Sequence, residues 1–413
     1  MIARKPGLVV VALSLLYTAQ GIPFGFATEY LPVVLRGEGY SYAQIAALGW
    51  LQLPWQLKIL WAKAADAPRV RPLTTRLVFA LQMALTLTVA GFALRPLKES
   101  PAWWFALTAL AAALASTQDV FVDAFAVRAL APAERGLGNA AQVGGYRLGM
   151  LVGGAGLLLL VGTLGERATL LACAAVVGIA SLGAFVGSSK ANVSPPASSS
   201  PSSRENGATS VLRLIRHMVA PNVRTVLLLG LTFKLGLHMA SALLKPMAKD
   251  FGWSNERIGW AVVTTGAISA IVGSLAGGAL HRRLGEKRAL FTAVIVQALV
   301  CLPLIAVARL RAPYALTTVT IALEHFGSGL GTTILFAALM TATRPEDAGL
   351  HYTILTSANA LAIGVGAMIG GLVADRAGVE AALVAATVVC ALPALLLPRW
   401  AAAARASAAS DDP

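Results

Sequence analysis

The chain has 413 residues, 57% of them hydrophobic and only 13% charged, with a mean hydropathy of +0.72. Soluble domains carry about 25% charged residues, so this composition excludes an ordinary soluble fold and indicates a polytopic membrane protein. The net charge of +14 does not imply a nucleic-acid partner, because the basic residues fall in short clusters between apolar runs, the pattern of topology signals at membrane faces.

A membrane-crossing helix takes roughly 20 apolar residues. The opening MIARKPGLVVVALSLL has no convincing small-x-small cleavage site, and its apolar run continues past Pro23, so it reads as an uncleaved first span over 8–34. Spans two to six follow over 41–62, 73–94, 102–127, 138–163 and 168–187. Next comes SSKANVSPPASSSPSSRENGATS, whose Ser and Pro content cannot build a packed core and reads as linker. Its continuation VLRLIRHMV, with Arg213 and Arg216, suits a short helix on the inner leaflet or an extension of span seven. Spans seven to twelve lie over 225–247, 257–280, 289–308, 313–342, 349–373 and 379–398. The expectation is an all-α membrane protein of twelve transmembrane helices. Two six-helix bundles, 1–187 and 221–400, are joined by a cytoplasmic linker, 188–220, and followed by a cytoplasmic tail, 401–413.

Lys and Arg set the orientation. With both termini in the cytoplasm, and helix-end residues given to the nearer loop, the cytoplasmic segments hold 20 basic residues and the external ones 10. Lys58, Arg147 and Lys234 lie within spans. The reverse orientation would invert this bias. Cys173, Cys301 and Cys390 are far apart in apolar runs, without disulfide or metal spacing, and read as packing residues. No metal or cofactor is expected.

Two parts of the first half recur in the second at one displacement. GYSYAQI (39–45) aligns with GWSNERI (252–258), and ERGLGNA (134–140) with DAGLHYT (347–353), both at an offset of 213. Each match is weak alone; the shared offset indicates an internal duplication. Parallel six-helix halves joined by a cytoplasmic linker resemble the layout of the major facilitator superfamily. GGALHRRLGEKR (277–288) is similar to that superfamily's loop pattern at Gly278, Arg283, Gly285 and Lys287, with Arg282 where the pattern has Asp. The loop AKAADAPRVRP keeps Asp66 and Arg69 but not the glycines. GGLVADRAG (370–378) repeats the pattern on the external side, where it reads as a solvated Asp375–Arg376 loop pair.

The resemblance extends to a narrower group. QGIPFGF followed by LPWQLKILWAKAAD is similar to the opening of the AmpG-related permeases, at Gly21, Ile22, Pro23, Leu53, Pro54, Trp55, Lys58, Leu60, Trp61, Ala62 and Asp66. STQDVFVDAFAVRALAPAERGLGNAAQVGGYRLG (116–149) resembles that group's Gln-Asp-x-x-x-Asp-Ala, Glu-Arg-Gly-x-Gly and Gly-Tyr-Arg-x-Gly signatures. The chain has no room for the additional spans usual in muropeptide permeases. Its LPVVLRGEGYS element (31–41) looks more like the short siderophore-permease branch, the rhizobactin and pyochelin type. The resemblance implies an inner-membrane importer of a small amphiphilic solute, an intact ferric siderophore in the first reading and an anhydromuropeptide in the alternative.

Charges inside spans mark the candidate site, since each costs roughly 2.5–3.5 kcal/mol at a membrane centre on insertion scales. Lys58, Asp119, Asp123 and Arg147 share one depth on spans two, four and five. They read as a self-neutralising structural network, a gate of exchanging ion pairs, or a proton site. Glu29, Lys234, His238, Glu324 and His325 lie on spans one, seven and ten, which line the central cavity in the superfamily layout. A histidine beside a carboxylate suits proton coupling; packing is the alternative for each histidine. Tyr17, Gln20 and Phe24 fall at i, i+3 and i+7, one stripe of span one, fit for packing or for an aromatic ligand. The glycine runs at 144–156 and 364–371 need no ligand, because small residues let helices approach closely in lipid. No HExxH, GxSxG or Cys/His ligand set is present, so no enzyme is expected. The expected partners are the solute, protons and the bilayer, with the chain a monomer and nucleic acid excluded.

Overall fold

The computed structural model describes residues 6–61, 69–129, 135–183, 221–341 and 348–398, and every described element is helical. The expected linker, the expected tail and Asp66 lie outside the described residues. Seven described segments are long and apolar enough to cross a membrane: Gly7–Gly37, Thr74–Leu94, Pro101–Ala126, Gly144–Leu164, Leu227–Asp250, Asn255–Leu310 and Leu355–Leu395.

Seven is fewer than the expected twelve, and the described segments differ widely in length. Asn255–Leu310 has 56 residues. At 1.5 Å per residue that is about 84 Å, far beyond a hydrocarbon core of about 30 Å. Its backbone breaks at Gly285, with φ at +73°, and the 41-residue Leu355–Leu395 breaks at Gly378, with φ at +88°. Only glycine adopts that conformation without strain. Glu166–Ala180 is short at 15 residues, and Tyr42–Leu60 is a string of short α- and 3₁₀-helical pieces.

The first helix shows how sequence shapes the backbone. Pro6–Gly25 contains Pro23, which cannot donate its backbone hydrogen bond, and the chain continues as a π-helical turn, Phe26–Tyr30, before α-helix resumes at Leu31–Gly37. Glycines bring this helix against Arg135–Leu151 and the π-turn Val152–Gly156. A Cβ on Gly149 would lie 2.1 Å from the Thr18 carbonyl oxygen, and one on Gly21 equally close to that of Tyr146. The second half uses the same device, with a Cβ on Gly329 falling 2.0 Å from the Ala270 oxygen and one on Gly370 2.4 Å from that of Met239. These contacts are the close helix approach expected of the glycine runs.

The described contacts divide the chain into two units. The first comprises Met1–Glu38, Leu48–Ser200 and Ser254–Val263; the second comprises Gly39–Ala47, Pro201–Trp253 and Thr264–Pro413. One short stretch of each half therefore belongs to the other half's unit; the first contains the GYSYAQI repeat and the second overlaps the GWSNERI repeat from Ser254 onward. Ser41 caps its helix through a reciprocal pair with Gln44, and Ser254 accepts from the Arg257 amide. Left-handed glycines keep the same spacing, Gly39 with Gly252 and Gly165 with Gly378, each pair again 213 apart. Where each stretch continues, regular α-helix is interrupted: 3₁₀ over Ala47–Gln52 and π over Gly259–Thr264.

Asp375 was expected in a solvated loop pair with Arg376; both are exposed, but they lie within a helix, and Asp375 holds the first of these stretches. Its Oδ1 accepts from the Tyr42 amide at 2.8 Å and its Oδ2 from the Ala43 amide at 2.9 Å. Tyr42 also donates its hydroxyl to Asp250 at 2.6 Å. A carboxylate over the first turn of a helix satisfies N–H groups that have no intrahelical partner.

Candidate functional site

Among the described residues, most of the ionisable side chains that the sequence placed inside spans gather at two places, one within each unit. In the first, Pro6–Gly25 contributes Tyr17, Gln20 and Phe24, the turn Lys58–Leu60 contributes Lys58, and Pro101–Ala129 contributes Asp119 and Asp123. Lys58 Nζ pairs with Asp119 Oδ2 and stands 4.0 Å from Asp123 Oδ2. The Tyr17 hydroxyl donates to Asp123 Oδ1 at 2.5 Å, and Gln142 Nε2 donates to the same oxygen at 3.3 Å. The side chains of Lys58, Asp119 and Asp123 are 34%, 11% and 41% exposed, so the cluster is partly open.

Arg147 was expected in this network. It is exposed, and among the described residues it has no ion pair with either aspartate. Consecutive helical residues point about 100° apart. Its neighbour Tyr146 packs on Phe24, ring centroids 5.6 Å apart, so Arg147 is turned away. Phe24 also meets Trp55 edge-on at 5.8 Å. Gln20 is fully enclosed, and neither Nε2 nor Oε1 has a partner among the described residues. Gln118, first of the QDVFVDAF acids' neighbours, donates to Gln82, which donates to the Val177 carbonyl. Glu29 stands apart from the cluster, on the π-turn Phe26–Tyr30, with its side chain against Gly154.

The second cluster is closed. Lys234 occupies the break between Pro221–Thr232 and Leu235–Asp250, 2% exposed, and donates to the Ser328 carbonyl at 2.9 Å and to its hydroxyl at 3.0 Å. Glu324 is 1% exposed; one oxygen lies 2.8 Å from His325 Nδ1 and the other accepts from the Ser241 hydroxyl. His325 Nδ1 also lies 3.0 Å from the Ile321 carbonyl. His238 sits beside Lys234, Glu324 and His325. Of the loop motif, Gly278 and Arg283 lie on the helix that ends at the Gly285 break, and Arg283 is exposed.

Gln142, Ser241 and Ser328 were not anticipated. Ser328 follows Glu324 by four residues and Gln142 precedes Tyr146 by four, so helical spacing carried that signal. Nothing in the sequence singled out Ser241.

Comparison with known proteins places this geometry. The model of the Major Facilitator Superfamily matches residues 226–412, and that of the Acetyl-coenzyme A transporter 1 family matches 9–93. A bacterial homolog of the human lysosomal transporter Spinster, inward-facing and unoccupied, superposes with a TM-score of 0.69 at 15% identity, covering 97% of this chain and 99% of that one. A D-xylose–proton symporter gives 0.68 at 12% identity, over 94% and 96% of the two chains. The fold is that of the major facilitator superfamily. Among curated proteins, the chain is 24% identical over 396 residues to Putative transporter AmpG 4 of Rickettsia felis, covering 92% of each. It is 26% identical over 357 residues to the Anhydromuropeptide permease of Escherichia coli K12, covering 83% of this chain and 70% of that one. Within this major facilitator fold, the tight glycine contacts and the two ionisable clusters are the features left to explain by function.

Proposed function

We propose that the chain is a bacterial inner-membrane permease that imports a cell-wall fragment of the anhydromuropeptide kind by alternating access. The observation that carries the substrate is the alignment with the Escherichia coli anhydromuropeptide permease over 83% of this chain. It takes precedence over the ferric-siderophore reading, which rests on residues 31–41 and on the lack of room for the additional spans usual in muropeptide permeases. Twelve crossings with both termini cytoplasmic fit this reading. The glycine breaks at Gly285 and Gly378 within the two overlong segments support dividing each of them into two crossings.

Proton coupling belongs to the same proposal. Burying ionisable groups among apolar helices is costly and is retained where charge must move. Glu324 with His325 supplies a carboxylate and an imidazole in contact, a pair able to take up and release a proton. Lys58 with Asp119 and Asp123 supplies ion pairs that can exchange partners as a gate opens.

Uptake of radiolabelled anhydromuropeptide by spheroplasts of a deletion strain, with and without the restored chain, tests the reading. The expected outcome is uptake that requires the chain and collapses with a proton ionophore. Unimpaired muropeptide uptake by the deletion strain, together with lost growth on one ferric siderophore under iron limitation, overturns the substrate in favour of the siderophore. Uptake indifferent to the ionophore removes the proton.

A further inference from the structure

We infer that the partly open cluster of the first unit is the subsite for a protonated amino group on the solute, with Asp123 as counter-ion and Phe24, Trp55 and Tyr146 as the aromatic wall. The inference deepens the permease reading and rests on it for the identity of the solute alone.

Charge balance comes first. Among the described residues the cluster contains two carboxylates and one ammonium. Lys58 is committed to Asp119 and reaches Asp123 only at 4.0 Å. Asp123 has 41% of its side chain exposed against 11% for Asp119, so it is the carboxylate with room for another partner. Tyr17 and Gln142 both donate to its Oδ1, and among the described residues Oδ2 meets only the distant Lys58 ammonium, at 4.0 Å. A carboxylate on the solute would meet an excess of negative charge here, and a neutral group would leave that excess uncompensated. An ammonium group restores the balance and brings three N–H donors.

The walls suit the same ligand. Trp55 precedes Lys58 by three residues and meets Phe24, which also packs on Tyr146. Aromatic faces attract cations through their quadrupole. Gln20 lies on the same helix stripe, three residues after Tyr17 and four before Phe24, with its enclosed amide unpartnered. A buried amide without a partner among the described residues calls for a polar group, whether water or solute, and its Oε1 is an acceptor one turn from Tyr17. Carboxylate, amide oxygen and aromatic rings are a set that recognises an amine and has little to offer an anion.

Three probes of one shape and different charge test this directly. Purified full-length chain is melted at neutral pH with benzylamine, benzyl alcohol or benzoate. Benzylamine is expected to raise Tm by about 2 °C and the other two to leave it unchanged. Asp123→Asn should abolish the benzylamine shift and Asp123→Glu should keep it. Equal responses to all three probes, or an intact shift in a folded Asp123→Asn, overturn the subsite; if Asp123→Asn does not fold, Trp55→Leu must reduce the shift or the assignment falls. A second arm compares spheroplast uptake of a muropeptide bearing a free stem-peptide amine with its N-acetylated form. The free amine should be favoured by about ten-fold, the equivalent of one charge-assisted contact, and Asp123→Asn should erase that preference. Equal uptake of both forms by the unaltered chain overturns the subsite. No uptake of either form, with the benzylamine shift intact, removes the muropeptide reading and leaves the subsite standing.

Discussion

The two ionisable clusters sit on a duplicated scaffold and share no position. Adding 213 to Asp119 and Asp123 leads to Thr332 and Phe336; subtracting it from Lys234, Glu324 and His325 leads to Gly21, Ala111 and Ala112. The capping serines and left-handed glycines do repeat at that spacing. Caps and turns answer to backbone geometry, which both halves need, whereas each cluster answers to its own chemistry. The clusters also differ in access. The first keeps Lys58 and Asp123 a third or more exposed, so its pairs can rearrange against water. The second holds Lys234 and Glu324 at 2% and 1%, where a bare charge has nowhere to go.

That contrast is sharpest under charge removal. Glu324→Gln should leave Lys234 as an uncompensated buried charge and cost about 3–5 kcal/mol. Folded yield after solubilisation should collapse and partly recover in the double variant with Lys234→Met. A folded, thermally unaltered Glu324→Gln would mean the closed cluster is not an electrostatic unit. In the open cluster, Asp123→Asn should keep near-normal folded yield while uptake falls by about ten-fold, a transport-specific loss of ~1.4 kcal/mol; parallel loss of yield would make the residue structural. The scaffold should not discriminate between halves. Gly149→Ala and Gly329→Ala each force a Cβ into a carbonyl oxygen and should each cost about 1–3 kcal/mol by overpacking, read as Tm. Gly364, with nothing within 4 Å, is the matched control. Asp375→Ala should cost about 0.5–2 kcal/mol as a lost helix cap, seen as faster amide exchange at Tyr42 and Ala43.

The smallest expected effect is at Glu166, beside the Gly165 turn. Burial, followed by the charge of Glu38, raises its pKa above the ordinary carboxylate value, and the Tyr30 hydroxyl opposes the rise. A raised folded-state value favours the folded form below the ordinary value and loses that contribution as pH rises through the raised one. Glu166→Gln should therefore flatten the pH dependence of Tm just above the usual carboxylate range; an unchanged profile would place the slope elsewhere.

Much of the scaffold was legible in the sequence because apolar runs, glycines and caps are local signals. GYSYAQI and GWSNERI announced their own repeat, and the glycine runs announced close helix contacts. Depth along a helix was also legible, which is why Lys58, Asp119 and Asp123 could be grouped. Azimuth was not. Arg147 has the right height and the wrong direction, and only the packing of Tyr146 on Phe24 reveals it. The Tyr17–Asp123 bond joins helices 106 residues apart, a distance at which no local pattern operates. The capping role of Asp375 was missed because its partners are backbone amides of a stretch 332 and 333 residues away, and backbone donors leave no trace in a sequence.

The exchanged stretches bear on whether either half can stand alone. Gly39–Ala47 completes the second unit and Ser254–Val263 completes the first, so neither half contains all of its own fold. Either half made alone would lack the short stretch that the other half supplies to its unit. Cutting the chain between its halves should accordingly yield two fragments that are soluble in detergent only together.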